Sequence, residues 1–326
     1  MTGPLLEVRD LCVEFTTRHG ALRALDGVSF DIAPGEILGI VGESGAGKSL
    51  TGAAIIGLLE PPGRLCGGEI LLEGQRIDDL PPEAMRLVRG KRIGAIFQDP
   101  LTSLDPLYTI GSQLVETLRT HLPLSAGQAR ERAIDLLRQA GLPAPEARLA
   151  QYPHEFSGGM RQRVVIALAL AGEPRLIVAD EPTTALDVAV QAQIIQLLRG
   201  VTQVHAASAM LISHDMGVIA ETCDRVAVMY AGRIVEIGPV AEVIHRPAHP
   251  YTAGLMDCVP SLAGGGERLA QIEGALPRLD EIPGGCAFHP RCPKASPRCS
   301  DERPELALVQ RTRAACWWPI VEGPMA

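Results

Sequence analysis

Short stretches of alternating apolar and polar residues open the chain: Leu6-Glu7-Val8, Val13-Glu14-Phe15 and Val28-Ser29-Phe30-Asp31-Ile32. A period of two turns one set of side chains to a core and the other to water, so these predict half-exposed antiparallel strands. Gly67-Gly68-Glu69-Ile70-Leu71-Leu72-Glu73-Gly74 predicts another, set between glycine turns. Elsewhere the apolar runs are unbroken: Glu36-Ile37-Leu38-Gly39-Ile40-Val41, Ile93-Gly94-Ala95-Ile96-Phe97, Leu176-Ile177-Val178-Ala179 and Ala209-Met210-Leu211-Ile212. Such short runs predict strands buried on both faces, as in a parallel sheet. From about Gly111 to Leu149 the period becomes helical, most plainly over Ala129–Arg138, where apolar residues recur at three and four. A further helix is predicted from Val188 to Leu198. Strand–helix–strand alternation makes this an α/β core with an antiparallel β layer and a helical insertion. Near Arg246 periodicity fades and proline and glycine become dense (Pro247, Pro250, Pro260, Gly264-Gly265-Gly266, Pro277, Pro283, Gly284-Gly285), which predicts a boundary between domains 1–246 and 247–326.

Composition narrows the picture in three ways. A length of 326 residues suits two unequal domains. A formal net charge of −8 disfavours a general nucleic-acid binder, which would want a basic surface. The longest apolar run, Val164–Ala171, is far short of the roughly 18 to 20 residues that span a bilayer, and reads as a core helix. The first residues show no secretion signal, so the expected compartment is the cytosol and the eight cysteines are not expected to form disulfides. Cys12, Cys66, Cys223 and Cys258 are scattered among apolar neighbours and are expected to be small core or boundary residues. Cys286, Cys292, Cys299 and Cys316 crowd into the last 41 residues.

The chemistry begins at Gly42-Glu43-Ser44-Gly45-Ala46-Gly47-Lys48-Ser49, which fits G-x-x-x-x-G-K-[ST]. It follows a buried strand, and Leu50–Ile56 can continue it as a helix. Backbone N–H groups wrapped at a positive helix end hold a phosphate chain. Lys48 then reaches the β- and γ-phosphates, and the Ser49 hydroxyl serves Mg²⁺. The second element is the strand Leu176–Ala179 running into Asp180-Glu181: Asp180 suits Mg²⁺, and Glu181 is placed to polarise the water that attacks the γ-phosphate. The third is Ser157-Gly158-Gly159, a good cap followed by two glycines at the start of a helix, a second anion site in the same chain.

In this order the motifs resemble those of ATP-binding cassette (ABC) ATPases, over residues 1 to about 246. The resemblance assigns Gly42–Ser49 as the Walker A loop, Gln98 as the Q-loop glutamine and Ser157-Gly158-Gly159 as the signature. Asp180 ends the Walker B strand, Glu181 is the catalytic base, Ala185-Leu186-Asp187 is the D-loop, and His214 is the switch histidine on the γ-phosphate. It implies ATP as substrate, with Mg²⁺ held through Ser49, Gln98 and Asp180. Two positions depart from the family pattern. Met160 stands where many cassettes have glutamine, and the adenine-stacking aromatic before the loop is not evident, Phe15 and His19 being the candidates.

A closer resemblance, covering nearly the whole chain, is to the ATPase subunits of oligopeptide/dipeptide permeases. It rests on Ile96–Pro106, on Tyr152–Arg163 with its methionine, and on His249-Pro250-Tyr251-Thr252 and Gly285–Pro293 in the tail. The implied fold is a P-loop cassette with a small cysteine-rich C-terminal extension. The implied role is ATP-driven uptake of di- or oligopeptides by a peripheral subunit on the cytoplasmic face of the membrane. Implied partners are a second ATPase subunit, usually a different chain, two transmembrane permease subunits, and an extracytoplasmic solute-binding protein acting through the permease. Import of nickel or another small solute is the alternative. A non-transport cassette ATPase would normally show two cassettes or a long coiled-coil insertion, and a redox-regulated ATP-binding protein would not need Glu181 and His214.

The four tail cysteines are spaced C-x₅-C-x₆-C-x₁₆-C, without the short knuckle of structural zinc sites. Iron–sulfur ligand spacings vary more, and the residues alone leave cluster, zinc and unmetallated thiols open. The family resemblance implies a [4Fe–4S] cluster on Cys286, Cys292, Cys299 and Cys316. The tail is expected to fold around its metal and to leave ATP binding to residues 1–246.

Overall fold

The computed structural model describes residues 3–18, 20–184, 187–258 and 271–321. His19, Ala185, Leu186, Pro260 and Gly264-Gly265-Gly266, all singled out above, lie outside the described residues.

Alternation yields the long strands β1 (Leu6–Thr17) and β2 (Gly20–Ile32), and the unbroken run yields the wholly buried β3 (Ile37–Val41), followed by helix α1 (Lys48–Ile55). Next come β4 (Gly63–Leu72), the two-residue β5 (Gln75–Arg76), α2 (Pro82–Val88) and β6 (Ile93–Ile96). The helical insertion is α3 (Ile110–His121), α4 (Ala126–Gln139) and α5 (Pro145–Arg148). Thr109 caps α3, and Ser125 with Gln128 closes a capping box on α4, each satisfying N–H groups that the helix cannot. The chain continues through α6 (Gly158–Leu170), β7 (Leu176–Asp180), α7 (Val188–Val204), β8 (Ser208–Ile212), α8 (Met216–Thr222), β9 (Arg225–Tyr230) and β10 (Arg233–Pro239). It closes with α9 (Val240–His245), α10 (Pro250–Asp257), α11 (Pro297–Asp301), β11 (Ala307–Val309) and β12 (Thr312–Ala314).

The chain forms two compact units, one of Met1–Leu6, Asp31–Ile37 and Leu71–Ile212, the other of Glu7–Phe30, Leu38–Ile70 and Ser213–Ala326. In the first, β7 runs parallel between β6 and β8, with Ala179 level with Ile96 and Leu211. Helices α3, α4 and α6 pack on one another, and α6 also meets β6 and α7. Their shared core is Leu114, Leu118, Ala133, Leu136, Leu137, Val164, Ile166 and Ala167, all buried. Ala133, Leu136 and Leu137 among them lie in the stretch whose three-and-four spacing predicts an amphipathic helix.

In the second unit β9 is parallel to β3, and β10 returns antiparallel to β9. The strands β2, β1 and β4 are neighbours in that order in a separate sheet. The tail strands β12 and β11 then extend the β9–β10 side, with Ala314 opposite Glu236. The weak periodicity of the tail therefore conceals two short strands, β12 paired on β10 of the cassette and β11 paired on β12. Glu236 on β10 is fully buried and accepts hydrogen bonds from the backbone N–H groups of Ala248 (2.8 Å) and His249 (2.9 Å) and from the Thr312 hydroxyl (3.2 Å). Burial pushes the Glu236 carboxyl above its ordinary range, against the pull of those donors. Burial likewise drives His249 down to about 3, so its ring is neutral and its Nδ1 accepts from the Tyr251 N–H (3.0 Å).

Candidate active site

β3 carries the chain to Gly42, whose φ of 150° and crowded backbone suit glycine: a Cβ there would stand 2.2 Å from the Met229 carbonyl oxygen. Gly47, at φ 104°, caps α1, and a Cβ on it would meet Leu25 Cδ2 at 2.7 Å. No acidic residue occupies the first turn of α1, and Ser44, Gly45 and Ser49 are exposed. The positive end of the helix thus opens outward. The back of the loop is pinned, since the Ala46 carbonyl accepts from the Gly232 N–H at 2.9 Å. Lys48 is only 5% exposed, and its Nζ donates to the carbonyl oxygens of Gly42 (2.9 Å) and Glu43 (3.0 Å). His214, in the same unit, is exposed just after β8, and Asp215 caps α8 through the N–H groups of Gly217 and Val218.

Glu43 is the surprise of the loop. Its N–H donates to the Tyr251 hydroxyl (2.9 Å), and its carboxylate takes both ends of the Arg291 guanidinium (2.7 and 2.9 Å). The sequence reading keeps the phosphate loop independent of the tail; here two tail side chains hold it. The partners are 208 and 248 positions apart, so no local spacing could have announced them.

In the other unit the structure brings Gln98 and Glu181 together. Gln98 Nε2 and Thr184 Oγ1 both donate to Glu181 Oε2, at 3.2 and 2.8 Å. Glu181 itself sits at φ 45°, rare for a residue with a side chain, and is fixed there by its N–H on the Ile212 carbonyl and its carbonyl on the Thr184 N–H. Asp180, half-buried, ends β7 just before it. Thr184 was visible only as part of the motif; its role as a carboxylate clamp comes from the structure.

Ser157 caps α6 through the Met160 N–H (3.4 Å), with no acid in the first turn and with Ser157 and Gly158 exposed. Asp187, also exposed, accepts from the Val190 N–H (3.0 Å) at the start of α7. A Cβ on Gly159 would lie 2.7 Å from Val190 Cγ1. The glycine lets the beginnings of α6 and α7 meet, bringing Ser157, Gly158, Gly159 and Asp187 into one neighbourhood. Phe15 is half-buried, its ring edge against Gly63.

In the tail Cys286, Cys292, Cys299 and Cys316 line one small cavity, together with His249, His289, Trp317 and Trp318. Burial pushes the Cys286, Cys292 and Cys316 thiols up, Cys316 to about 11, and the neighbouring thiols push them further. Yet among the described residues no group of three or more His, Cys, Asp or Glu side chains is arranged to hold a metal ion. The four thiols share a cavity, but among the described residues they do not form the metal site that the sequence predicts.

With the geometry in view, the chain matches the ABC transporter family over residues 25–184 and the oligopeptide/dipeptide transporter C-terminal region over residues 235–299. It is 48% identical to the oligopeptide transport ATP-binding protein OppD of Bacillus subtilis (strain 168), over 99% of this chain and 92% of that protein. It is 44% identical to the dipeptide transport ATP-binding protein DppD of Escherichia coli (strain K12), over 97% of each. A solved dimeric bacterial ABC transporter cassette superposes with a TM-score of 0.65 at 29% identity, over 72% of this chain and 98% of that one. The chain belongs to the ABC transporter ATP-binding subunits of the oligopeptide/dipeptide permease family. It is the ATPase of a peptide transporter.

Thr184→Val removes one of the two donors on Glu181 Oε2. The expected outcome is a fall in kcat of about tenfold, with ATP affinity within about twofold of wild type, read by single-turnover hydrolysis and equilibrium binding. Unchanged kcat would show that the threonine does not aim the carboxylate.

Proposed function

We propose that this chain is the ATP-hydrolysing subunit of an importer for di- or oligopeptides, bound peripherally at the cytoplasmic face of the membrane. The observation that carries the reading is the pairing, in one chain, of a phosphate loop with a buried lysine and a carboxylate aimed by two donors. The substrate class follows from relatives named for oligopeptide and dipeptide transport, whose C-terminal region this chain shares. Among the described residues no helix is long and apolar enough to cross a membrane, so the membrane path belongs to two permease subunits. Phe97, Leu101, Leu107 and Tyr108, exposed between β6 and α3, offer them an apolar surface. An extracytoplasmic solute-binding protein delivers peptide to the permease. Residues 1–246 are the ATPase domain and 247–326 the extension.

ATP lies with its phosphates along the loop Gly42, Glu43, Ser44, Gly45, Ala46, Gly47, Lys48 and Ser49, on backbone N–H groups other than those of Glu43 and Ala46, which bond Tyr251 and the Glu43 carbonyl, and Lys48 swings from its carbonyl partners to the phosphate oxygens. Ser49, Gln98 and Asp180 would hold Mg²⁺, whose charge offsets the charge developing on the phosphoryl group. Glu181 orients the attacking water and takes its proton, and His214 contacts the γ-phosphate. Ser157, Gly158 and Gly159 present a helix end, with Asp187 beside it, to the nucleotide of a second ATPase subunit, a different chain. Binding closes the pair and hydrolysis reopens it.

Glu181→Gln tests the assignment, because an amide cannot serve as base while the phosphate loop is untouched. ATP binding is expected to persist and turnover at this site to fall by about a thousandfold or more. The measurement is single-site turnover in the assembled complex, since an active partner site masks the steady-state rate. Wild-type turnover at the loop of this chain would remove Glu181 from the mechanism.

The tail thiols suit a [4Fe–4S] cluster better than zinc. The spacing C-x₅-C-x₆-C-x₁₆-C lacks the short knuckle of structural zinc sites, and the four cysteines line one cavity. When bound, the group would cross-link a segment whose strands are three residues long. Protein purified without oxygen is expected to be brown, with iron and acid-labile sulfide in similar amounts, and Cys292→Ser to bleach it. One zinc and no iron would overturn the cluster.

A further inference from the structure

The ion pair between Glu43 and Arg291 joins the second residue of the phosphate loop to the residue before Cys292. The Arg291 side chain is 7% exposed and Glu43 28%, so the pair is screened far less than a surface ion pair. Each nitrogen of the guanidinium is engaged. Besides Glu43, Nε donates to the Glu273 carbonyl (2.8 Å), Nη1 reaches the Tyr230 hydroxyl (3.4 Å) and Nη2 the Ile272 carbonyl (3.3 Å). Its carbon lies 5.8 Å from the Tyr230 ring centre and 5.9 Å from that of Phe288. The hydrogen-bonding groups of Glu43 are spoken for in turn: carboxylate by Arg291, N–H by Tyr251, carbonyl by Lys48 Nζ.

We infer that Arg291 is a positioning residue for ATP binding: it clamps and neutralises Glu43, so that the tail sets how tightly this chain holds nucleotide. The inference rests on the reading of Gly42–Ser49 as the ATP site. Two physical effects act in the same direction. The fork fixes the peptide planes that bracket Glu43, whose neighbours must aim N–H groups at phosphate. It also cancels a carboxylate on the rim of a site that takes a polyanion. Without Arg291 that carboxylate repels the phosphates across a poorly screened distance.

The test is calorimetric titration of the full chain with the non-hydrolysable analogue AMP-PNP and Mg²⁺, paired with KM and kcat for ATP in the assembled complex. Arg291→Met is expected to weaken AMP-PNP by roughly tenfold or more and to raise KM similarly, with kcat within about twofold. Arg291→Lys keeps the charge but not the fork, so it should lose about threefold. Adding Glu43→Gln to Arg291→Met removes the repelling charge and should return affinity to within about threefold of wild type. Arg298→Met supplies the matched control, being next to Cys299 but stacked on Trp317 rather than on the loop; it should bind as wild type.

Both tryptophans, Trp317 and Trp318, lie in the tail, so their emission reports whether the tail stays folded in each variant. Should Arg291→Met shift that emission, the double variant still decides, because Glu43→Gln restores affinity only if the charge on Glu43 caused the loss. Wild-type affinity in Arg291→Met, equal losses in Arg291→Met and Arg298→Met, or no recovery in the double variant would each overturn the inference. Lys48→Ala separates it from the reading beneath. If Lys48→Ala abolishes AMP-PNP binding while Arg291→Met keeps it, only the role of Arg291 falls. If Lys48→Ala binds as wild type, the loop is not the ATP site and both fall.

Discussion

A phosphate loop must turn successive N–H groups outward while it buries the lysine that will meet the phosphates, and the second unit is arranged around that demand. Gly42 and Gly47 take backbone shapes and close approaches that a side chain would block, against Met229 on one side and Leu25 on the other. Lys48 is drawn back onto two carbonyls of its own loop. An ammonium held there by dipoles exchanges readily for one held by phosphate oxygens, since the second set carries full charge. The loop can be this exposed in front only because it is pinned behind, by Gly232 and by Tyr251 and Arg291.

Glu181 shows the same economy in the first unit. A left-handed φ on a residue with a side chain costs on the order of 1–3 kcal/mol, and here two backbone hydrogen bonds and the buried strand β7 sustain it. The conformation turns the carboxylate to where Gln98 and Thr184 can both reach one of its oxygens. Through that contact Gln98 links the proposed base to the segment carrying Phe97, Leu101, Leu107 and Tyr108, the surface proposed for the permease. Hydrolysis and transport would then share a single side chain.

Much of this was legible in the residues. The parallel strands were visible as unbroken apolar runs, because strands covered on both faces have no polar side to show. Ser157 was legible as a cap, and the predicted helix after Asp187 extends from Leu198 to Val204 in the structure, as helix ends are the least marked part of a pattern. What stayed hidden was pairing between distant segments. Periodicity reports whether a residue is buried, never what it is buried against. So β11 and β12, three residues each, were invisible until β10 supplied a partner for β12 and β12 one for β11. Arg291 was readable as part of a family block, while its bond to Glu43 was not. The four cysteines announced themselves by crowding, but only folding shows that they share one cavity.

The central claim is that catalysis is divided: this chain binds ATP on its own loop, and the helix end at Ser157 completes the site of the facing subunit. Ser157→Arg puts a bulky side chain at that exposed helix end, and the measurement is site-resolved ATP hydrolysis in the assembled complex. The account predicts that nucleotide still binds the mutant's own loop with wild-type affinity, while hydrolysis at the facing subunit's loop is lost. Full-rate hydrolysis at that loop, or full-rate hydrolysis by this chain alone, would contradict it.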